Sequence, residues 1–436
     1  MRRLYTALFC LLLPLVQLRL LWRSLKSPDY RRRWAERFGR FPAPGIGDSI
    51  WIHAVSIGEV QAAGPLAKRL LESHPDIPLV ITTTTPTGSA QVRKLFGDRV
   101  HHVYFPYDVP FAIDGFLDRM RPRLLLMMET EIWPNLLAIC EQRGITTILA
   151  NARLSQRSAR GYARLGRFAQ QTFSRIGMVA AQGPADAERF LALGVGPGRV
   201  RITGSIKFDI KLPASLNERA EVLRRQWGGR PVWVAASTHE GEDEPLLEAH
   251  REIRRMHPDA LLVLVPRHPE RFERVAQLCR RMGFGTERRS SGRPCSPRTE
   301  VFLGDTMGEL ALFMAASDVV FVGGSLVPVG GHNILEPAAL GVPILFGPHM
   351  FNFALISRMM LEAGAAIQVE NRDQLAAIVG DWFGDASRRA RIGEAGRRLV
   401  EENRGAVDRL LDLVEECIGG SQSPPGAPGA IGGPGA

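Results

Sequence analysis

Lys207-Phe-Asp-Ile-Lys-Leu-Pro-Ala214 interrupts a regular alternation of apolar runs and helix-like stretches, which starts afresh beyond it. Upstream, runs at 50–55, 79–83, 100–105, 124–128, 146–150 and 178–181 read as strands, with helical stretches such as 60–72 and 135–143 between them. Downstream, the strand-like runs are 231–236, 260–265, 301–303, 319–322 and 342–346. Runs this continuously apolar are buried on both faces, which predicts parallel sheets wrapped by helices. The stretch 207–214 is thus the link between two successive open α/β domains, 27–210 and 211–418. The chain of 436 residues is long enough for both. Ligands are expected in the cleft where the carboxyl ends of the two sheets face each other.

The two ends of the chain differ from this pattern. Arg2 and Arg3 precede an apolar run over 4–18, and Arg19, Arg23, Lys26, Arg31, Arg32 and Arg33 follow it. That run is short of the roughly 20 residues of a full span. No small-x-small site follows, so residues 1–26 are expected to stay as a membrane anchor, spanning or lying on the surface. The arginines after the run predict cytoplasmic domains. Residues 419–436 are rich in Pro and Gly and are expected to be a disordered tail. The net charge of +10 suits an anionic partner; nucleic acid, acidic headgroups and phosphorylated substrates all qualify. The five cysteines form no Cys-x-x-Cys pair, which fits a reducing cytosol and argues against a disulfide framework or a zinc site.

Chemistry-bearing residues fall at strand ends. In Trp51-Ile-His-Ala-Val-Ser-Ile-Gly-Glu59 the acid opens a helix. There Glu59 either accepts a proton from a hydroxyl or simply complements the helix dipole. Met127-Met-Glu129-Thr-Glu131-Ile-Trp133-Pro-Asn135 places two acids after an apolar strand, on one side if the strand continues. In Gly204-Ser-Ile-Lys207-Phe-Asp209 the lysine either reaches an anionic group or pairs with Asp209. The second domain offers Val265-Pro266-Arg267-His268-Pro269, whose arginine can fork onto a phosphate. It also offers Thr306-Met307-Gly308-Glu309, Gly323-Gly-Ser325 and Gly330-Gly-His332-Asn333-Ile334-Leu335-Glu336-Pro337. The glycines in the last two are expected to bring backbone amides onto a phosphate, and Glu336 to accept from ribose hydroxyls. Neither Gly-x-Gly-x-x-Gly after the first strand nor Gly-x-x-x-x-Gly-Lys-Ser/Thr occurs, which weakens hydride-transfer and ATPase readings. No Asp-x-Asp pair is present, so the leaving group is expected to be held by Arg, Lys and amides rather than by a metal.

In order along the chain, His53-Ala-Val-Ser-Ile-Gly-Glu59, Met128-Glu-Thr-Glu-Ile-Trp-Pro-Asn135, Asn151-Ala-Arg-Leu-Ser155, Gly204-Ser-Ile-Lys-Phe-Asp209, Val265-Pro-Arg-His-Pro-Glu-Arg271, Asp305-Thr-Met-Gly-Glu309 and Gly330-Gly-His-Asn-Ile-Leu-Glu-Pro337 resemble the 3-deoxy-D-manno-octulosonic acid (Kdo) transferases of lipopolysaccharide assembly. The resemblance implies an α/β fold of GT-B type, with two Rossmann-like domains facing a central cleft and an N-terminal membrane-anchor helix. It implies inverting transfer of Kdo from CMP-Kdo to a lipid A precursor (lipid IVA), at the cytoplasmic side of the inner membrane among anionic lipids. By motif position Glu59 is then the general base, and Glu129 and Lys207 stabilise the transition state. CMP contacts fall on Pro266, Arg267, Met307, Gly308, Glu309, Asn333, Ile334, Leu335 and Glu336. It implies no cofactor, no metal and no nucleic acid partner. Two rivals use parts of the same pattern: a nucleotide-sugar epimerase, which needs no anchor, and a silent nucleotide-binding membrane protein, which would tolerate loss of Glu59.

Overall fold

A computed structural model describes residues 1–420. They form two compact units. The first is Met1–Asp209 together with residues 405–420, and the second is Ile210–Arg404.

The first unit opens with helix α1 (Arg2–Lys26), followed by seven parallel strands. These are β1 (Ser49–His53), β2 (Leu79–Thr83), β3 (His101–Tyr104), β4 (Pro122–Met128), β5 (Thr146–Ala152), β6 (Met178–Ala181) and β7 (Val200–Ile202). Their order across the sheet is β3-β2-β1-β4-β5-β6-β7, so β1 and β4 sit side by side at its middle. Alternate residues of each strand go to opposite faces, and both faces are covered. Ile50 and Ile52 of β1 join Leu124, Leu126 and Met128 of β4 under Leu66 and Leu70 of helix α2 (Ile57–Ser73). Trp51, Leu125 and Met127 point the other way, into a core with Phe116, Leu136 and Leu137. The uninterrupted apolar runs of the sequence therefore come from strands with no solvent face.

The second unit repeats the plan with β8 (Val232–Thr238), β9 (Leu261–Pro266), β10 (Thr286–Arg288), β11 (Val301–Leu303), β12 (Val319–Val322), β13 (Ile344–Phe346) and β14 (Ala366–Gln368). The order is β10-β11-β9-β8-β12-β13-β14, again all parallel. Trp233, Leu262, Val319 and Leu345 fill one face with the helical residues Leu246, Leu375 and Trp382.

Three strands are additions to the expected set: β7, β10 and β14. All three are edge strands of three residues each. The C-terminal helix Ala406–Gly420 corrects the expected boundary of 211–418. It packs in the first unit, where Leu410 and Val414 are fully buried beside α2. Asp209 fixes its start by accepting hydrogen bonds from the Gly405 and Val407 amides, each at 2.6 Å. Gly419 and Gly420 complete that helix, so the expected tail does not begin at 419. The remainder of that tail, 421–436, lies outside the described residues.

Candidate functional site

β1 ends at His53, and Ser56 becomes the N-cap of α2. Glu59, three residues on, closes a capping box. Its Oε2 accepts from the Val55 amide at 2.8 Å and its Oε1 from the Ser56 hydroxyl at 3.0 Å, while Ser56 Oγ accepts from the Glu59 amide at 3.5 Å. Glu59 does complement the start of its helix. A carboxylate has about four lone-pair sites, however, so two such bonds leave each oxygen able to accept again. Burial pushes the Glu59 carboxyl above its ordinary range, the Val55 and Ser56 bonds oppose that rise, and the charge of Glu129 adds to it.

The second acidic pair does not continue the strand. β4 stops at Met128, and Glu129 turns into the left-handed region at φ +58°, its amide donating to Ala150 O at 2.9 Å. A left-handed non-glycine residue is strained, and this one is held by the neighbouring strand β5. The period-two argument for putting both acids on one side therefore lapses. Charge coupling shows both near Glu59 all the same. Burial, the charge of Glu59 and that of Glu129 raise Glu131 to about 7, against a bond from Trp133 Nε1 at 2.9 Å.

His53 closes one side of this cluster. Its ring stacks on Phe105 at 3.7 Å, its Nδ1 lies 3.0 Å from Thr82 Oγ1, and complete burial lowers its pKa to about 3. The imidazole is neutral, so its 3.9 Å approach to Glu131 is no ion pair. Lys207 arrives on the short turn Ile206–Phe208 after β7. Burial lowers its pKa, and the charge of Glu129 holds it up. Asp209, the alternative partner for Lys207, directs its two oxygens at the Gly405 and Val407 amides. Asn151, left-handed at φ +52°, orders the Lys207 turn by accepting from the Ile206 amide at 3.2 Å. Glu59, Glu129, Glu131 and Lys207 are thus one electrostatic cluster at strand ends.

The second unit carries the other predicted residues. Pro266 ends β9 and Arg267 is exposed, its amide donating to Thr238 O at 3.0 Å. Burial first, then the charges of His239, Arg267 and His268, lower His332 to about 4. His239 and His332 stack, with their Nε2 atoms 2.8 Å apart. Met307 is exposed and Gly308 takes φ +84°. Glu309 is gripped by Arg289 through two bonds of 3.0 and 2.7 Å, and accepts from Thr306 at 2.5 Å. Asn333 donates to Glu336 Oε1 at 3.0 Å and accepts from the Leu335 amide at 3.0 Å. Burial raises the Glu336 carboxyl against the Asn333 bond. Ile334 and Leu335 are fully buried, which leaves only their backbone for a ligand.

One expectation for the glycine loops is overturned. The amides of Gly324, Ser325 and Leu326 donate to Glu242 at 2.7, 3.0 and 2.9 Å, and the His239 amide joins them at 2.8 Å. Glu242 is fully buried, so the anion in this nest is the protein's own carboxylate. The Gly330 and Gly331 amides both donate to Gly324 O, at 3.1 and 2.7 Å. Sequence reasoning missed Glu242, although a signal existed. Gly58-Glu59 follows the first strand of one series and Gly241-Glu242 that of the other.

Residues 32–210 match the model of the family described as 3-deoxy-D-manno-octulosonic-acid transferase (kdotransferase). The chain is 44% identical to the 3-deoxy-D-manno-octulosonic acid transferase of Haemophilus influenzae over 421 residues, 95% of this chain and 98% of that one. Identity to the Bordetella pertussis transferase of the same name is 38% over 440 residues, 96% and 100% of the two chains. Among solved structures, MurG of Acinetobacter baumannii superposes with a TM-score of 0.54, covering 85% of this chain and 100% of its own. At 11% identity that likeness speaks for the fold alone, which is of GT-B type.

Proposed function

The chain belongs to the 3-deoxy-D-manno-octulosonic acid (Kdo) transferase family, and on that premise we propose that it moves Kdo from CMP-Kdo onto a lipid A precursor (lipid IVA) in lipopolysaccharide biosynthesis, with inversion at the sugar carbon. The observation that carries the reading is the cluster of Glu59, Glu129, Glu131 and Lys207 at strand ends of the first unit. Glu59 takes the proton from the acceptor hydroxyl, whose oxygen forms the new bond to the sugar carbon. The bond from that carbon to the CMP phosphate oxygen breaks as the new one forms, and CMP departs from the opposite face. Positive charge developing on the sugar is stabilised by Glu129, which Lys207 faces electrostatically.

The donor's nucleotide falls to the second unit. Arg267, exposed at the end of β9, takes the phosphate. Pro266, Met307, Gly308, Glu309, Asn333 and Glu336 line the nucleotide, with Ile334 and Leu335 contributing backbone. A single phosphate met by a guanidinium calls for no divalent ion, so transfer is expected to survive its removal. Helix α1, the one segment apolar and long enough to cross a membrane among the described residues, holds the enzyme at the cytoplasmic side of the inner membrane. The positive charge is accounted for by anionic lipid and phosphorylated acceptor, without nucleic acid.

The test is a transfer assay with purified protein, CMP-Kdo and tetra-acylated lipid A precursor, with and without EDTA, products read by mass spectrometry. Mass increments of Kdo in both arms are expected, and their number counts the residues added. Increments lost with EDTA would remove metal independence alone. No increment from folded protein would overturn the transferase reading and leave the epimerase and the silent binder.

A further inference from the structure

We infer that α1 lies in the plane of an anionic membrane surface, as a helix seated lengthwise on the first unit, and does not cross the bilayer. This rests on the membrane location proposed above and adds the topology.

Two stripes of opposite character run the length of α1. One, at Thr6, Phe9, Leu13, Gln17, Leu20 and Ser24, is half-buried or buried. The other, at Leu4, Leu8, Leu11, Leu15, Leu18 and Trp22, is 54–75% exposed. Both follow the three-and-four spacing of a helix and, except for Leu8 and Phe9, are offset by two positions, which puts them on opposite sides. The polar residues Thr6, Gln17 and Ser24 share the sheltered side with Phe9, Leu13 and Leu20, while the open stripe is apolar throughout. That is the reverse of a helix on a water-soluble surface, and it leaves an apolar face to be covered.

The start of the helix and the segment that follows its end are tied to the same folded unit. Near its start, Tyr5 donates to Asp108 Oδ2 at 2.9 Å, Thr6 donates to Asn135 Oδ1 at 2.9 Å, and the Tyr5 ring meets Phe168 at 5.8 Å. Asp108 is itself buried and accepts from the Asn135 and Leu136 amides at 3.1 and 2.8 Å, so this anchorage belongs to the core. Beyond the other end, Arg33 donates to His102 O at 2.7 Å, Arg37 donates to Thr84 O at 2.9 Å, and Glu36 accepts from the Tyr104 amide at 2.8 Å. At ~1.5 Å per residue a helix this long measures roughly 37 Å. Spanning would place Tyr5 and Thr6 about 30 Å from the domain, across the hydrocarbon. It would strip Asp108 and Asn135 of those partners.

The occupant of the open face is argued from charge. Residues 1–28 hold no Asp or Glu, and Arg3, Arg19, Arg23, Arg31 and Arg32 are exposed along or just after the helix. An apolar stripe flanked by arginines matches the boundary between acyl chains and anionic headgroups.

The test places a thiol at the start of α1 in the full chain. Cys10, Cys295 and Cys417 are changed to Ser, Cys140 and Cys279 stay because they are buried, and Arg3→Cys is introduced. A membrane-impermeant maleimide is applied to intact spheroplasts, and again after detergent solubilisation. Expected is complete loss of labelling in spheroplasts, with labelling restored by detergent and the chain sedimenting with the membranes. Labelling of intact spheroplasts would put residue 3 outside and overturn the in-plane topology while keeping the membrane location. A folded chain left in the soluble fraction would overturn the membrane location itself. In a second arm, Leu11→Glu with Leu15→Glu, both on the open face, should release the folded chain from phosphatidylglycerol vesicles. Undiminished binding would overturn the lipid as occupant.

Discussion

Glu59 has two duties that one substitution can separate. As the third residue of its helix it completes the capping box with Ser56, and as a half-buried acid it lies within electrostatic reach of Glu129. Glu59→Gln keeps an oxygen for the Val55 amide and an NH2 for Ser56, so the cap survives. Only the ability to take a proton is lost. Transfer should fall by about 10²–10⁴, with thermal unfolding near that of the parent; turnover close to normal would mean that another group is the base. Glu131 reports on the same cluster through pH. Its carboxyl is raised from 4.5 to about 7, chiefly by burial and then by Glu59. A raised carboxyl binds its proton more tightly folded than unfolded, so its contribution to stability is present below 4.5 and is lost as pH climbs to about 7. Glu131→Gln escapes that loss. Relative to the parent, the variant should gain stability between pH 4.5 and 7, with an upper bound of about 3 kcal/mol. Denaturant midpoints at pH 5 and pH 8 check it, and an equal difference at both would show Glu131 titrating normally.

At the scale of elements, the central strands were legible because they have no solvent face. β4 and β9 read as apolar runs for that reason. The three strands that escaped, Val200–Ile202, Thr286–Arg288 and Ala366–Gln368, are sheet edges with a neighbour on one side only. Thr-Glu-Arg carries no apolar signal, and no periodicity argument finds a strand defined solely by its partner's hydrogen bonds. Loop chemistry was legible in residue type but not in partner. The Gly323-Gly-Ser325 turn was read as a cradle for a phosphate, and what it holds is Glu242, 82 residues earlier in sequence than Gly324. Its removal tests the element. Glu242→Ala leaves the amides of His239, Gly324, Ser325 and Leu326 buried without an acceptor, each unsatisfied group costing about 1–3 kcal/mol. Relaxation and entering water reduce the sum, and a loss of roughly 3–5 kcal/mol is expected in urea unfolding. A loss under about 1 kcal/mol would mean that the loop re-pairs without its carboxylate.

At the scale of the whole molecule, the interruption after β7 was visible, and the return of the chain to its first unit was not. Nothing in Ala406–Gly420 distinguishes a helix of one sheet from a helix of the other, because amphipathic periodicity gives a face and no address. The address comes from Asp209, whose oxygens hold the Gly405 and Val407 amides, and from the face of the first sheet that needs covering. The consequence is a prediction about truncation. Were residues 211–418 one independent domain, ending the chain at Arg404 would damage that domain and spare residues 1–209. The buried positions of Val407, Leu410, Leu411, Leu413, Val414 and Ile418 require the reverse. At about 1.5–3 kcal/mol for each side chain buried, their loss removes roughly 9–18 kcal/mol from the first unit. That is of the same order as the whole stability of an ordinary domain, roughly 5–15 kcal/mol. A chain ending at Arg404 should therefore lose the fold of its first unit. Limited proteolysis with peptide mapping should find the resistant fragment within 210–404, while 1–209 is degraded far faster than in the full chain. A resistant fragment covering 1–209 would show that the first sheet stands without its returning helix.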